Sequence, residues 1–218
     1  MPDFQIAVIP VTPFQQNCAL LWNSTTRRGS VLDPGGEAGR ISAEVQRRRL
    51  TVESILLTHG HLDHAGGAAA LKALLPGDVP IVGPAIGDRP LLESIAEQAR
   101  MFGAEGMENA SPDRWLADGD RVEIATESFK VLHCPGHTPG HVVFFSPALR
   151  LALVGDVLFR GSIGRTDLPG GDSAALLRSI AEKLLPLGDD VAFVPGHGPG
   201  STIGEERRGN PFLVGIGR

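Results

Sequence analysis

The chain has 218 residues, 42% of them hydrophobic and 21% charged, with a formal net charge of −5 and a mean hydropathy of +0.03. That length and balance predict one globular domain over residues 1–218 with a sizeable core. They argue against a broad nucleic-acid footprint, and no apolar run approaches the roughly 20 residues that would span a bilayer. The opening stretch MPDFQIAVIPV lacks a charged n-region and a cleavage site, so a cytoplasmic location is expected.

In chain order, strands are expected at Gln5–Pro10, Ala19–Trp22, Ser30–Leu32 and Ser54–Leu57, with helices at Arg40–Arg49 and Gly67–Leu75. A short strand at Pro80–Val82 precedes a longer helix at Pro90–Phe102. A second, similar half begins near Trp115, with a turn at Asp118-Gly119-Asp120 and an alternating strand at Arg121–Ile124. Three apolar runs follow, at Phe129–Cys134, Leu151–Gly155 and Val191–Val194, together with a helix at Ser173–Leu184 capped by Asp172. The 28 glycines and 17 prolines gather at the loops between these runs, where they report sharp turns and not a disordered linker.

The most informative segment is Thr58–His64, reading THGHLDH. It follows the apolar run Val52–Leu57 and precedes a helix expected to begin near Ala65, so one tight turn presents three histidines and a carboxylate at a strand's C-terminal edge. Three later strand ends carry the same residue types: His137 in PGHTPGH, Asp156 after Leu151–Gly155, and His197 in PGHG. In a layered α/β protein, loops converge on a site at such edges. Imidazole and carboxylate suit zinc, iron(II) or manganese, and no thiolate is placed to select a softer metal. Seven ligands exceed what one ion with an open position can hold, so two divalent metal ions are expected, zinc first among the candidates. We assign His59, His61 and His137 to one metal, and Asp63, His64 and His197 to the other. Asp156 bridges them, and Asp63 and Asp156 are the candidate catalytic carboxylates.

Cys18 and Cys134 lie far apart in sequence without a CxxC, and are expected as buried free thiols. His133, inside an apolar strand, is expected as a core histidine, and His141 as a support for its neighbours.

With these motifs in view, the chain resembles the metallo-β-lactamase superfamily and, within it, the short hydroxyacylglutathione hydrolases called type III glyoxalase II. The resemblance covers nearly the whole chain. It rests on THGHLDH, DPGG at Asp33–Gly36, HCPGHTPGH at His133–His141, GDVLF at Gly155–Phe159, GRTDLPGGD at Gly164–Asp172 and PGHG at Pro195–Gly198. It implies an α/β fold, a four-layer αβ/βα sandwich. Asp156 matches the bridging position of glyoxalase II, where lactamases have other residues, which argues against β-lactam hydrolysis. The implied substrate is a glutathione thioester, S-D-lactoylglutathione, cleaved to D-lactate and glutathione.

A hydroxide bridging two cations is available as a nucleophile near neutral pH, and a thioester's thiolate leaves without much help from an acid. Asp33, in its DPGG turn, is expected to hydrogen-bond a ligating imidazole or the THGHLDH backbone. Full-length glyoxalase II carries a helical C-terminal extension and tyrosines that help to hold glutathione. Here the chain ends at Arg218, soon after His197, and contains no tyrosine. Arg165 matches a glutathione-contacting lysine of the longer enzymes and is the candidate substrate-binding residue; its other reading is a salt bridge to Asp167 or Asp172. The helix Pro90–Phe102 is a candidate cover for the site, although Met101 and Phe102 would serve equally well as core.

The main rival activity is that of persulfide dioxygenases, which share the THxHxDH turn and use one iron(II) at positions matching His59, His137 and Asp156. A lactonase and a non-catalytic metal-binding module are further alternatives. Metal stoichiometry and oxygen consumption discriminate the first; turnover on any substrate discriminates the last.

Overall fold

A computed structural model describes residues 3–104 and 106–216. Strands β1 (Phe4–Val11), β2 (Gln16–Asn23) and β3 (Arg28–Leu32) lead into α1 (Ala38–Arg47), β4 (Thr51–Leu56), α2 (Leu62–Ala65), α3 (Ala68–Leu74) and β5 (Ile81–Val82). Helices α4 (Arg89–Glu93) and α5 (Ile95–Phe102) follow. The second half contains β6 (Arg121–Ile124), β7 (Glu127–His133), β8 (Val142–Ser146), β9 (Leu151–Gly155), β10 (Leu158–Phe159), β11 (Ser162–Ile163), α6 (Ser173–Ser179), β12 (Ala192–Pro195), β13 (Ser201–Thr202) and α7 (Ile203–Gly209).

The strands form two main sheets, ordered β1-β2-β3-β4-β5 and β13-β12-β9-β8-β7-β6, with β10-β11 as a separate hairpin. The first sheet is antiparallel through β3 and parallel from β3 to β5. In the second, β9 pairs parallel with β12 while its other pairs are antiparallel. Central strands are apolar at consecutive positions because both of their faces are covered. Leu20, Val31 and Ile55 face Ile41 of α1 and Leu71 of α3. Their neighbours Leu21, Leu32 and Leu56 turn the other way, against Phe129, Phe144 and Leu153 of the second sheet. Val143 and Val154, one residue along from Phe144 and Leu153, face Leu176 of α6 and Ile203 of α7. This period-two alternation produces the layers helix, sheet, sheet, helix. The four-layer αβ/βα architecture expected from the sequence is the one observed.

Three element boundaries differ from expectation. Helix α2 starts at Leu62, not near Ala65, because the His61 carbonyl already accepts from the His64 and Ala65 amides. Asp63 and His64 therefore sit in a helical first turn. The helix expected over Pro90–Phe102 breaks at Ser94, where the Asn109 side chain wedges in, accepting from the Ala96 amide at 2.8 Å and donating to the Glu93 carbonyl at 2.5 Å. The helix at Ser173 is capped as expected, Asp172 accepting from the Ala175 amide, but it widens into a π-helical turn over Ile180–Leu184.

His133 also departs from expectation. It is half-buried at the end of β7 and not in the core, its Nε2 donating to the Pro139 carbonyl at 2.9 Å, and with Asp118 and Lys183 it lines a surface cavity of about 290 Å³. Cys18 and Cys134 are buried free thiols, as expected. No helix among the described residues is long and apolar enough to cross a membrane.

Candidate metal centre

The two sheets are joined along one edge by backbone bonds, Val142 amide to Thr58 carbonyl at 2.8 Å and Asn17 amide to Gly196 carbonyl at 2.7 Å. The loops following β4, β7, β9 and β12 meet at this seam. Asn17 secures the last of them, its amide donating to the carbonyls of Pro195 and Gly198 on either side of His197.

The seven residues singled out in the sequence come together there in overlapping groups. Nitrogen atoms of His59, His61 and His137 lie within 4.8 Å of one another, as do ligand atoms of Asp63, His64 and His197, and those of His59, His64 and Asp156. One Asp156 oxygen, Oδ2, lies 3.6 Å from His137 Nε2 and 3.6 Å from His197 Nε2, one from each of the first two groups. His64 Nε2 is 3.3 Å from Asp156 Oδ1, and His197 Nε2 is 3.2 Å from Asp63.

Hydrogen bonds on the far side of each ring fix which nitrogen faces inward. His64 Nδ1 donates to Asp33 at 3.0 Å, His137 Nδ1 to the Arg165 carbonyl at 2.7 Å, and His197 Nδ1 to the Phe14 carbonyl at 3.1 Å. The Thr58 hydroxyl donates to Asp33 at 2.7 Å, which leaves its oxygen to accept from His59 Nδ1 at 3.0 Å. Four rings thus turn Nε2 toward the centre. His61 instead presents Nδ1, 2.9 Å from His137 Nε2.

Asp33 binds the His64 imidazole at 3.0 Å and also the Thr58 amide at 2.7 Å. His141 is fully buried, stacks on His59 with ring centroids 4.7 Å apart, and accepts from the Asp156 amide at 3.0 Å. Gly196 leaves room for the Asp156 carboxylate: a Cβ there would fall 2.1 Å from Asp156 Oδ1.

Two buried atoms facing the centre, His59 Nε2 and Asp156 Oδ1, have no hydrogen-bond partner. A buried polar atom without a partner is costly unless something else engages it, and nitrogen and carboxylate donors in this arrangement fit divalent cations. The electrostatics divide the same way. Burial, reinforced by His64 and His141, holds His59 well below the ordinary histidine range, and burial followed by His137 brings His61 down to about 3. These imidazoles are neutral at pH 7, with lone pairs free. Burial works against charge on Asp156 as well, yet His64, His137 and His197 outweigh it and hold the carboxylate well below its usual range. At His64 burial is outweighed by Asp156 and Asp63, which raise it.

Residues 11–197 match the metallo-beta-lactamase superfamily model. The chain belongs to that superfamily. A relative within it, hydroxyacylglutathione hydrolase GloC of Haemophilus influenzae, is 47% identical over 209 residues, 95% of this chain and 97% of GloC. Among solved superfamily structures, the BLEG-1 B3 metallo-beta-lactamase superposes with a TM-score of 0.88 at 39% identity, covering 97% of this chain and all of that one. TTHA1623, crystallised in a di-iron-bound form, superposes with a TM-score of 0.85 at 40% identity, covering 95% of this chain and all of that one.

Arg165 lies apart from the seven. Its side chain is 62% exposed and forms a two-point ion pair with Asp167, while its carbonyl orients His137. Met101 and Phe102, at the end of α5, are 77% and 67% exposed and do not pack into the core. Asp88 escaped the sequence reading, because a lone Asp in PAIGDRP carries no motif. It is fully buried between two of the site loops.

Proposed function

We propose that the protein is a binuclear metal-dependent hydrolase of glutathione thioesters, with S-D-lactoylglutathione as the leading candidate substrate. The observation that carries this reading is the position of Asp156 Oδ2, 3.6 Å from a nitrogen of each of two separate ligand groups. His59, His61 and His137 would hold one cation and Asp63, His64 and His197 the other, with Asp156 shared. Bound there, two divalent cations supply a water-derived nucleophile at neutral pH and an electrophilic contact for a carbonyl oxygen. The donor set accepts zinc, iron(II) or manganese, and zinc is the first candidate.

The chain's own residues set the geometry and the direction of approach. His59 and His64 are wholly buried, whereas the His197 and Asp63 side chains are 29% and 18% exposed, so substrate enters past this second group. The Phe159 ring stands edge-on to His197, with centroids 6.3 Å apart, and Phe14 holds the far side of the same imidazole through its carbonyl. Arg165 would bind a glutathione carboxylate by exchanging Asp167 for it, since a guanidinium pairs with either in the same two-point manner. A thioester needs no strong acid for its leaving group, which suits a centre built of acceptors. The 47% identity to a hydroxyacylglutathione hydrolase over nearly the full chain supports this substrate class.

The test is thiol release from S-D-lactoylglutathione without oxygen, after separate reconstitution with zinc, iron(II) and manganese, with a β-lactam and a lactone in the same panel. Release of glutathione supports the proposal. No release with any metal overturns it, and oxygen uptake with glutathione persulfide would replace it by the dioxygenase reading.

A further inference from the structure

Asp88 follows β5 and lies at 0% exposure. Its Oδ2 accepts from the Gly60 amide at 2.8 Å and the Thr138 hydroxyl at 2.7 Å, and its Oδ1 accepts from the Gly140 amide at 2.5 Å. Gly60 stands between His59 and His61, and Thr138 directly follows His137. One carboxylate therefore binds both loops that supply the His59, His61 and His137 group, loops separated by 76 residues at His61 and His137. The approach is close: a Cβ on Gly140 would fall 2.8 Å from the Asp88 carboxyl carbon. None of the three bonds reaches Asp63, His64 or His197. His64 is held instead by Asp33, and the carbonyls flanking His197 by Asn17.

From this geometry we infer that Asp88 is a positioning residue for the first metal position alone, setting the separation of the His59–His61 loop from the His137 loop, while the second position is held by Asn17 and by Asp33, which also braces His59 through Thr58. The inference rests on the ligand assignment proposed above. Two loops converging on a cation carry like partial charges on their inward nitrogens and lack a covalent link. A buried acceptor of three donors offsets that repulsion before metal arrives, so less ordering remains to be done on binding. Asp88→Asn keeps the volume but turns an NH2 group toward either the Gly140 amide or the Gly60 and Thr138 donors. Outer groups that orient metal ligands are worth about 10–100-fold in metal affinity.

The experiment measures zinc affinity with a competing chromophoric chelator in full-length protein reduced to one position at a time. His197→Ala retains the first position and His61→Ala retains the second. Adding Asp88→Asn should weaken zinc about 10–100-fold in the His197→Ala background and leave affinity in the His61→Ala background unchanged. Equal losses in both backgrounds, or none in either, would overturn the inference. If His61→Ala and His197→Ala do not each remove one of two zinc ions, the ligand assignment has failed, and that outcome is separate from any effect of Asp88. Thr138→Val, which deletes a single bond, should give the same one-sided loss to a smaller extent. Should Asp88→Asn not fold, the Thr138→Val result decides alone.

Discussion

His61 Nδ1 and His137 Nε2 face each other at 2.9 Å, brought together from opposite halves of the chain. One ring hydrogen, on His61 Nδ1, can span this gap to His137 Nε2. His59 Nε2, buried beside them, has no hydrogen-bond partner, and a cation can engage all three nitrogens at once where a single hydrogen cannot. Stripping metal with a chelator should therefore abolish hydrolysis and lower the unfolding temperature. Restoring zinc at a hundred times its dissociation constant should return about 2.7 kcal/mol of stability, read by thermal melts at graded free zinc. A melt indifferent to zinc would remove the metal centre from the account.

Asp156 ionises within reach of three imidazoles and stands between the two ligand groups. Asp156→Ala should cut bound metal from two ions per chain to one or fewer and eliminate thioester hydrolysis, as measured by elemental analysis alongside the thiol assay. Full activity in that variant would sink the bridging assignment.

Asp33 accepts from the Thr58 amide, the Thr58 hydroxyl and His64. Asp33→Ala leaves these buried donors without a partner, at about 1–3 kcal/mol each. The metal-free protein should lose about 3 kcal/mol or more in denaturant unfolding, with the slope unchanged. A loss below about 1 kcal/mol would mean that water replaces the carboxylate.

Arg165 is exposed and paired with Asp167, and surface pairs of this kind contribute little to stability. Arg165→Ala should leave the melting temperature within experimental error and raise KM for glutathione thioesters several-fold with kcat retained, as expected for lost ground-state binding. An unchanged KM would exclude the guanidinium from substrate binding.

Much of the fold was legible because strands buried on both faces read as continuous apolar runs: Leu20-Leu21, Val31-Leu32, Ile55-Leu56 and Leu153-Val154 each place one side chain toward helices and the next toward the opposing sheet. The boundary at Ser94 was not legible, since the residue that breaks the helix, Asn109, reaches it from a distant loop. His133 was misplaced because an apolar neighbourhood in sequence does not say how far a strand's last residue projects beyond the sheet.

By itself, the sequence determined the chemistry of the centre: imidazole and carboxylate donors, seven in number, each just beyond the end of an apolar run, where loops of a layered α/β protein converge. Tertiary structure alone decided how those donors are oriented. Which nitrogen each ring turns inward depends on oxygens supplied from elsewhere in the fold, by Asp33, Thr58, Phe14 and the Arg165 carbonyl. The spacing of the loops depends on Asp88, a residue without a motif, whose three partners lie 28, 50 and 52 positions away in the chain. Local sequence encodes which groups are present; long-range hydrogen bonds, formed only once both sheets have packed, encode where their lone pairs point.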